Sequence, residues 1–118
     1  AGRLPLKYGG SVYVVDCVRM FALERGIRKI STLERIGTLV EENVLAKATA
    51  EHLRAAFEAL TFLRLRHEIT LIEQGEPPGH FINPASLSKD EQDLLREALH
   101  AVAKFQDATK RHFSHTPF

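Results

Sequence analysis

One stretch limits what this chain can become more than any other: Leu60-Thr61-Phe62-Leu63-Arg64-Leu65-Arg66-His67-Glu68-Ile69. On a helix turning about 100° per residue, Leu53, Phe57, Leu60 and Leu71 fall within one narrow arc, and Arg64 and His67 fall inside it too. Phe62, Leu65, Ile69 and Ile72 make a second apolar face nearly opposite. A helix that is apolar on two sides is normally covered on both, and charges placed on a covered face need partners. Arg64 and His67 are therefore either paired inside a core or turned toward a pocket for something negative. Arg66 points about 120° away from the Leu60 meridian and is expected to be exposed.

The rest of the chain also reads as helix. Ser11 is placed to cap a helix through Arg25, with Gly26 as its stop and Val14, Val18, Phe21 and Ala22 inward. Ser31-Thr32-Leu33-Glu34 is a capping box that opens a shorter helix to about Glu42, with Leu33, Ile36, Leu39 and Val40 inward. Thr49 is the expected cap of the long helix that carries the two apolar faces, ending at Gln74 before Gly75. Gly75-Glu76-Pro77-Pro78-Gly79 breaks the chain, and a loop follows through Asn83-Pro84. Ser88-Lys89-Asp90-Glu91 is a second capping box, opening a last helix with Leu94, Leu95, Ala98, Leu99, Val102 and Phe105 at spacings of three and four. That helix is expected to fray between Lys110 and His115.

The fold expected is all-α: an antiparallel helical bundle of three long helices plus one short helix. It is read as one domain over residues 1–118, with 1–10 an extended lead-in, 11–113 the bundle and 114–118 a tail. The start at Ala1-Gly2-Arg3, without Met, reads as a fragment of a larger protein.

Charge and composition then narrow the partners. Sixteen Lys and Arg against fifteen Asp and Glu leave a formal charge of +1, which argues against nucleic acid as a partner and against an anionic membrane. No run reaches the roughly 18 apolar residues of a membrane span, and a single cysteine, Cys17, suits a reducing, cytoplasmic setting. Cys17 shares the side of Val14, Val18 and Phe21 and reads as a small buried hydrophobe, with no His nearby to make it a nucleophile. His112 and His115 are three apart but lack a Cys, Asp or Glu at ligand spacing, so no metal site is assigned. Asp16, between Val12, Met20 and Leu23, is a candidate partner for Arg64 or Arg66. Lys7-Tyr8-Gly9-Gly10-Ser11 is a second anion candidate, since paired glycines before a helix allow close backbone approach and the helix start offers free N–H groups.

Taken in order, Leu6-Lys7-Tyr8-Gly9-Gly10, Ser31-Thr32-Leu33-Glu34-Arg35-Ile36, Phe62-Leu63-Arg64-Leu65-Arg66-His67 and Asn83-Pro84-Ala85-Ser86-Leu87-Ser88 resemble the putative nucleotidyltransferase substrate-binding domain, from about Leu6 to Phe113. That domain lies C-terminal to a nucleotidyltransferase domain in bacterial signal-transduction proteins, often with CBS and cyclic-nucleotide modules upstream. It is similar to the helical domain of PII uridylyltransferase and glutamine synthetase adenylyltransferase. The resemblance implies a non-catalytic accessory domain that completes a cleft for nucleotide phosphates or a protein substrate, within a parent that uses Mg2+ and a nucleoside triphosphate. It implies no cofactor and no catalytic residue on this chain, whose sequence lacks the metal-binding Gly-Ser and paired-Asp signature. Lys7, Gly9, Gly10, Arg64, Arg66 and His67 match recurrent positions and become the candidate binding residues. One departure stands out: the related transferases carry Leu-Arg-Asp after the two glycines, where this chain has Ser11-Val12-Tyr13. The rival expectation is a docking or dimerisation module without a ligand, using the Phe62, Leu65, Ile69 and Ile72 face.

Overall fold

A computed structural model describes residues 4–5, 10–77, 81–82 and 84–114, and the candidate residues Lys7 and Gly9 lie outside them. Four helices build the molecule: α1 (Val12–Glu24), α2 (Thr32–Glu41), α3 (Lys47–Glu73) and α4 (Lys89–Phe113). The fold is all-α. A two-residue antiparallel pairing of β1 (Leu4–Pro5) with β2 (Phe81–Ile82) ties the lead-in to the loop before α4, in the register Leu4↔Ile82 and Pro5↔Phe81.

The helix ends follow from the residues that stand there. Gly26, Asn43 and Gly75 all hold positive φ, at 67°, 61° and 72°. Each closes a C-terminus with the same two bonds, for example Ile27 N–H to Ala22 O at 2.9 Å and Gly26 N–H to Leu23 O at 3.3 Å after α1. At α4 the capping box closes both ways, Ser88 Oγ accepting from Glu91 N–H at 3.2 Å and Glu91 Oε1 accepting from Ser88 N–H at 2.9 Å. At α2 the hydroxyl half forms, with Ser31 Oγ accepting from Glu34 N–H at 3.0 Å.

One expected cap holds in position and one is corrected. Ser11 stands at the N-cap of α1 as expected, but it is buried with helical dihedrals and its side chain makes no capping bond. The N-cap of α3 is Ala46, so Thr49 sits inside the first turn. No polar side chain marks that start, which is why the sequence put it three residues late.

The core joins one stripe from each helix: Val14, Val18 and Phe21 of α1, Ile36 and Leu39 of α2, Ala50, Leu53, Ala56, Leu60 and Leu63 of α3, and Leu95, Ala98, Val102 and Phe105 of α4. Helices α3 and α4 run antiparallel, since His52 shares a groove with Lys104 while Arg66 pairs with Glu91. The start of α1 packs at Leu60 and its end at the last turn of α4, so α1 runs against α3. Phe21 carries that last contact: its ring lies 5.8 Å from Phe105, 4.9 Å from His112 and 5.1 Å from Phe113. The end of α4 is therefore docked through Phe113, where fraying was expected from Lys110 onward. His112 Nε2 also meets Glu24 Oε1 at 2.9 Å, so this histidine is engaged where the polar tail suggested solvent.

Helices α3 and α4, at 27 and 25 residues, are about twice as long as α1 and α2, at 13 and 10. The short pair covers α3 only near its Leu60 side, and the opposite face stays open. Phe62, Leu65, Ile69 and Ile72 are 54%, 46%, 56% and 64% exposed. The second apolar face is real, and within the described residues nothing covers it.

Candidate functional site

Position on α3 decides what each charged residue can do. Arg64 and Arg66 are two residues apart, hence about 160° apart around the axis, and they serve different surfaces. Arg66 faces the start of α4, where it forms an ion pair with Oε2 of Glu91. The same carboxylate holds Ser88 N–H through Oε1, so one residue caps α4 and anchors it to α3. Arg66 is exposed as expected, with half its side chain open to water, and its guanidinium is nonetheless engaged. Glu91 went unnoticed as a partner because its capping role already accounted for it.

His67 lies beside this pair. With Leu63, Arg66, Thr70 and Gln74 of α3 and Ser86, Leu87 and Glu91 across the gap, it lines a cleft of about 280 Å³. Thr70 Oγ1 is turned back to Arg66 O at 3.0 Å, and Gln92 of α4 braces the incoming loop through Pro84 O at 3.0 Å and Leu87 O at 3.3 Å. The polar groups available to a ligand there are the His67 ring and the Gln74 amide.

Arg64 occupies the other flank, one turn beyond Leu60. It is partly buried, and its Nε is shut off from water without an acceptor among the described residues. A buried guanidinium N–H without an acceptor loses its hydration for no return, so the site is poised for an oxygen acceptor. Gly10 closes in on the turn beside it. A Cβ placed there would stand 3.0 Å from Leu60 Cδ1 and 3.2 Å from Cδ2, and Leu60 is fully buried. A side chain there would need Leu60 to give by a few tenths of an ångström. The second glycine of the lead-in thus packs against α3 at Leu60, one turn before Arg64, while Arg66 and His67 are the two sequence candidates that share a cleft. Asp16 is exposed on the outer side of α1 beside exposed Met20 and Leu23, and it forms no ion pair with Arg64 or Arg66.

Cys17 is half-buried against α4 and has its thiol pKa raised from 9.0 by burial, with the Asp16 charge adding to the rise and a hydrogen bond with Thr109 opposing it. It stays a protonated thiol at neutral pH, as a packing residue would. No three His, Cys, Asp or Glu side chains converge on a point among the described residues. Between α3 and α4 runs an outer groove of about 440 Å³, floored by Ala55, Ala59 and Ala101 and rimmed by His52, Arg96, His100 and Lys104. Leu94, expected inward, stands 38% exposed at its end.

The described residues thus form a helical bundle in which one arginine N–H is buried without an acceptor, on the helix against which Gly10 packs closely. The comparison with known families supplies the class. Residues 1–113 match the putative nucleotidyltransferase substrate binding domain, and the chain belongs to that family. No curated protein and no solved structure matches it.

Proposed function

We propose that this chain is the substrate-holding domain beside a nucleotidyltransferase catalytic domain of the PII-uridylyltransferase type, and that its share of the cleft is built around Arg64. The observation that carries this reading is the Arg64 Nε, buried and without an acceptor among the described residues. Arginine presents a planar fork of N–H donors that matches a phosphate or carboxylate, and a preformed donor in a water-poor setting binds an anion without reorganisation. Gly10, packed against Leu60 one turn before Arg64 on α3, supports it. Lys7 and Gly9 enter the reading as sequence candidates outside the described residues. His67 offers a further ring nitrogen from the neighbouring cleft. Arg66 does not belong to the ligand set, because Glu91 neutralises it.

In this division of labour the catalytic domain supplies the chemistry, including the Mg2+ and nucleoside triphosphate that nucleotidyl transfer uses, within a cytoplasmic signalling protein. The helical domain holds the phosphates or the protein substrate in register. The test uses the full-length protein with Arg64→Ala and Arg64→Lys. Alanine is expected to weaken nucleoside triphosphate binding about tenfold or more, about 1.4 kcal/mol per decade, with the melting temperature unchanged and lysine giving partial recovery. Unchanged affinity and turnover with lowered stability would make Arg64 a structural residue and overturn the reading.

A further inference from the structure

The open face of α3 has a chemical character as well as an apolar one. Phe62, Leu65, Ile69 and Ile72 fall within an arc of about 80° and are each roughly half exposed or more. Glu68 lies about 40° beyond one edge of that arc and Glu73 about 20° beyond the other, while Glu58 continues the line one turn toward the helix start. The cations nearby are Arg54, further along the same line, and Arg66, whose charge is answered by Glu91. The strip is apolar with an acidic border.

We infer that this strip is the docking surface for an amphipathic helix whose apolar stripe is flanked by Lys and Arg. Between Glu58 and Glu73 the face spans about 22 Å at 1.5 Å per residue, the length of a partner helix of four turns. Large side chains at positions 62, 65, 69 and 72 are the three-and-four spacing by which two helices interlock. Exposed apolar area of this kind on one side of a helix marks a place another surface covers.

The acidic border selects among the occupants. Two copies pairing through the same strip would bring Glu58, Glu68 and Glu73 of each together at the rim, and like charges facing each other at an interface oppose association. An anionic lipid surface is disfavoured by the same charges. A basic border complements all three glutamates at once. This inference rests on the strip alone and is independent of the role given to Arg64.

The probes are two synthetic 18-residue amphipathic peptides with an identical Leu/Ile stripe, one flanked by Lys and Arg, the other by Glu. Each is titrated into the 15N-labelled 118-residue chain. The basic peptide is expected to bind, with shifts centred on residues 58–73, and to weaken as salt is raised; the acidic twin is expected to bind at least about tenfold more weakly. Leu65→Asp should abolish the shifts and Glu68→Lys weaken binding about tenfold, both in chains whose circular dichroism is unchanged. Arg64→Ala should bind the basic peptide like the parent chain, which separates this test from that of the proposed function. Equal binding of the twins, shifts mapping to the α3–α4 groove instead, or a salt-independent dimer of the free chain through Leu65 would each overturn the inference.

Discussion

Three residues carry most of what is specific to this molecule. Gly10 sits where a methyl group would press on Leu60 at 3.0 Å, and Leu60 is fully enclosed in the core. Gly10→Ala is therefore expected to destabilise the chain by about 1–3 kcal/mol, the usual cost of overpacking a tight core, read as a lowered midpoint in urea. Cys17 gives a pH-dependent prediction. Burial, the first cause of its raised pKa, keeps the thiol protonated in the fold. Below about pH 9 both folded and unfolded chains carry the neutral thiol, so its contribution is level. Above that, the unfolded chain ionises first and stability falls as pH rises. Alkylation at pH 8 should likewise be slower in the folded chain than in urea, and equal rates would contradict the burial. Arg64 was legible as a choice between pairing and pocket, and no sequence rule settles such a choice. The answer depends on which residues of other elements reach it.

At the scale of elements, the chain announced its helices through its caps and stops. Ser31, Ser88, Gly26 and Gly75 stand where the sequence put them, because capping chemistry is local and needs no tertiary information. The one misplaced start, at Thr49, fell where a capping residue type was present but the backbone did not use it, and Ser11 holds the N-cap position without a side-chain bond. The docking of His112 and Phe113 on Phe21 was not legible either, since it joins residues some ninety positions apart. The capping box of α4 offers a measurable check. Glu91 both closes the box and pairs with Arg66, so Ser88→Ala is expected to cost about 1 kcal/mol and to loosen the Arg66 contact with it. Amide hydrogen exchange should then rise in the first turn of α4 and around Arg66. A change confined to α4 would show that cap and anchor act separately.

Over the whole molecule, the unequal helix lengths decide the arrangement of surfaces. Helices α1 and α2 cover one side of α3 and leave the Phe62 to Ile72 strip open, so the two apolar faces that first marked this chain have different fates. One is the core. The other waits for a partner. Sequence periodicity located both but could not say which would be filled, because that depends on how far neighbouring helices extend. The same geometry separates Arg64 from Arg66 and leaves Arg64, unlike Arg66, with a buried guanidinium N–H that has no acceptor among the described residues. The most direct measurement is the 15N–1H signal of the Arg64 Nε in the full-length protein, followed while a nucleoside triphosphate is added. A large downfield shift with slowed solvent exchange, lost in Arg64→Lys, is the expected result. A signal that is already protected without ligand and stays in place through saturation would show an internally paired arginine, and the binding role would fall.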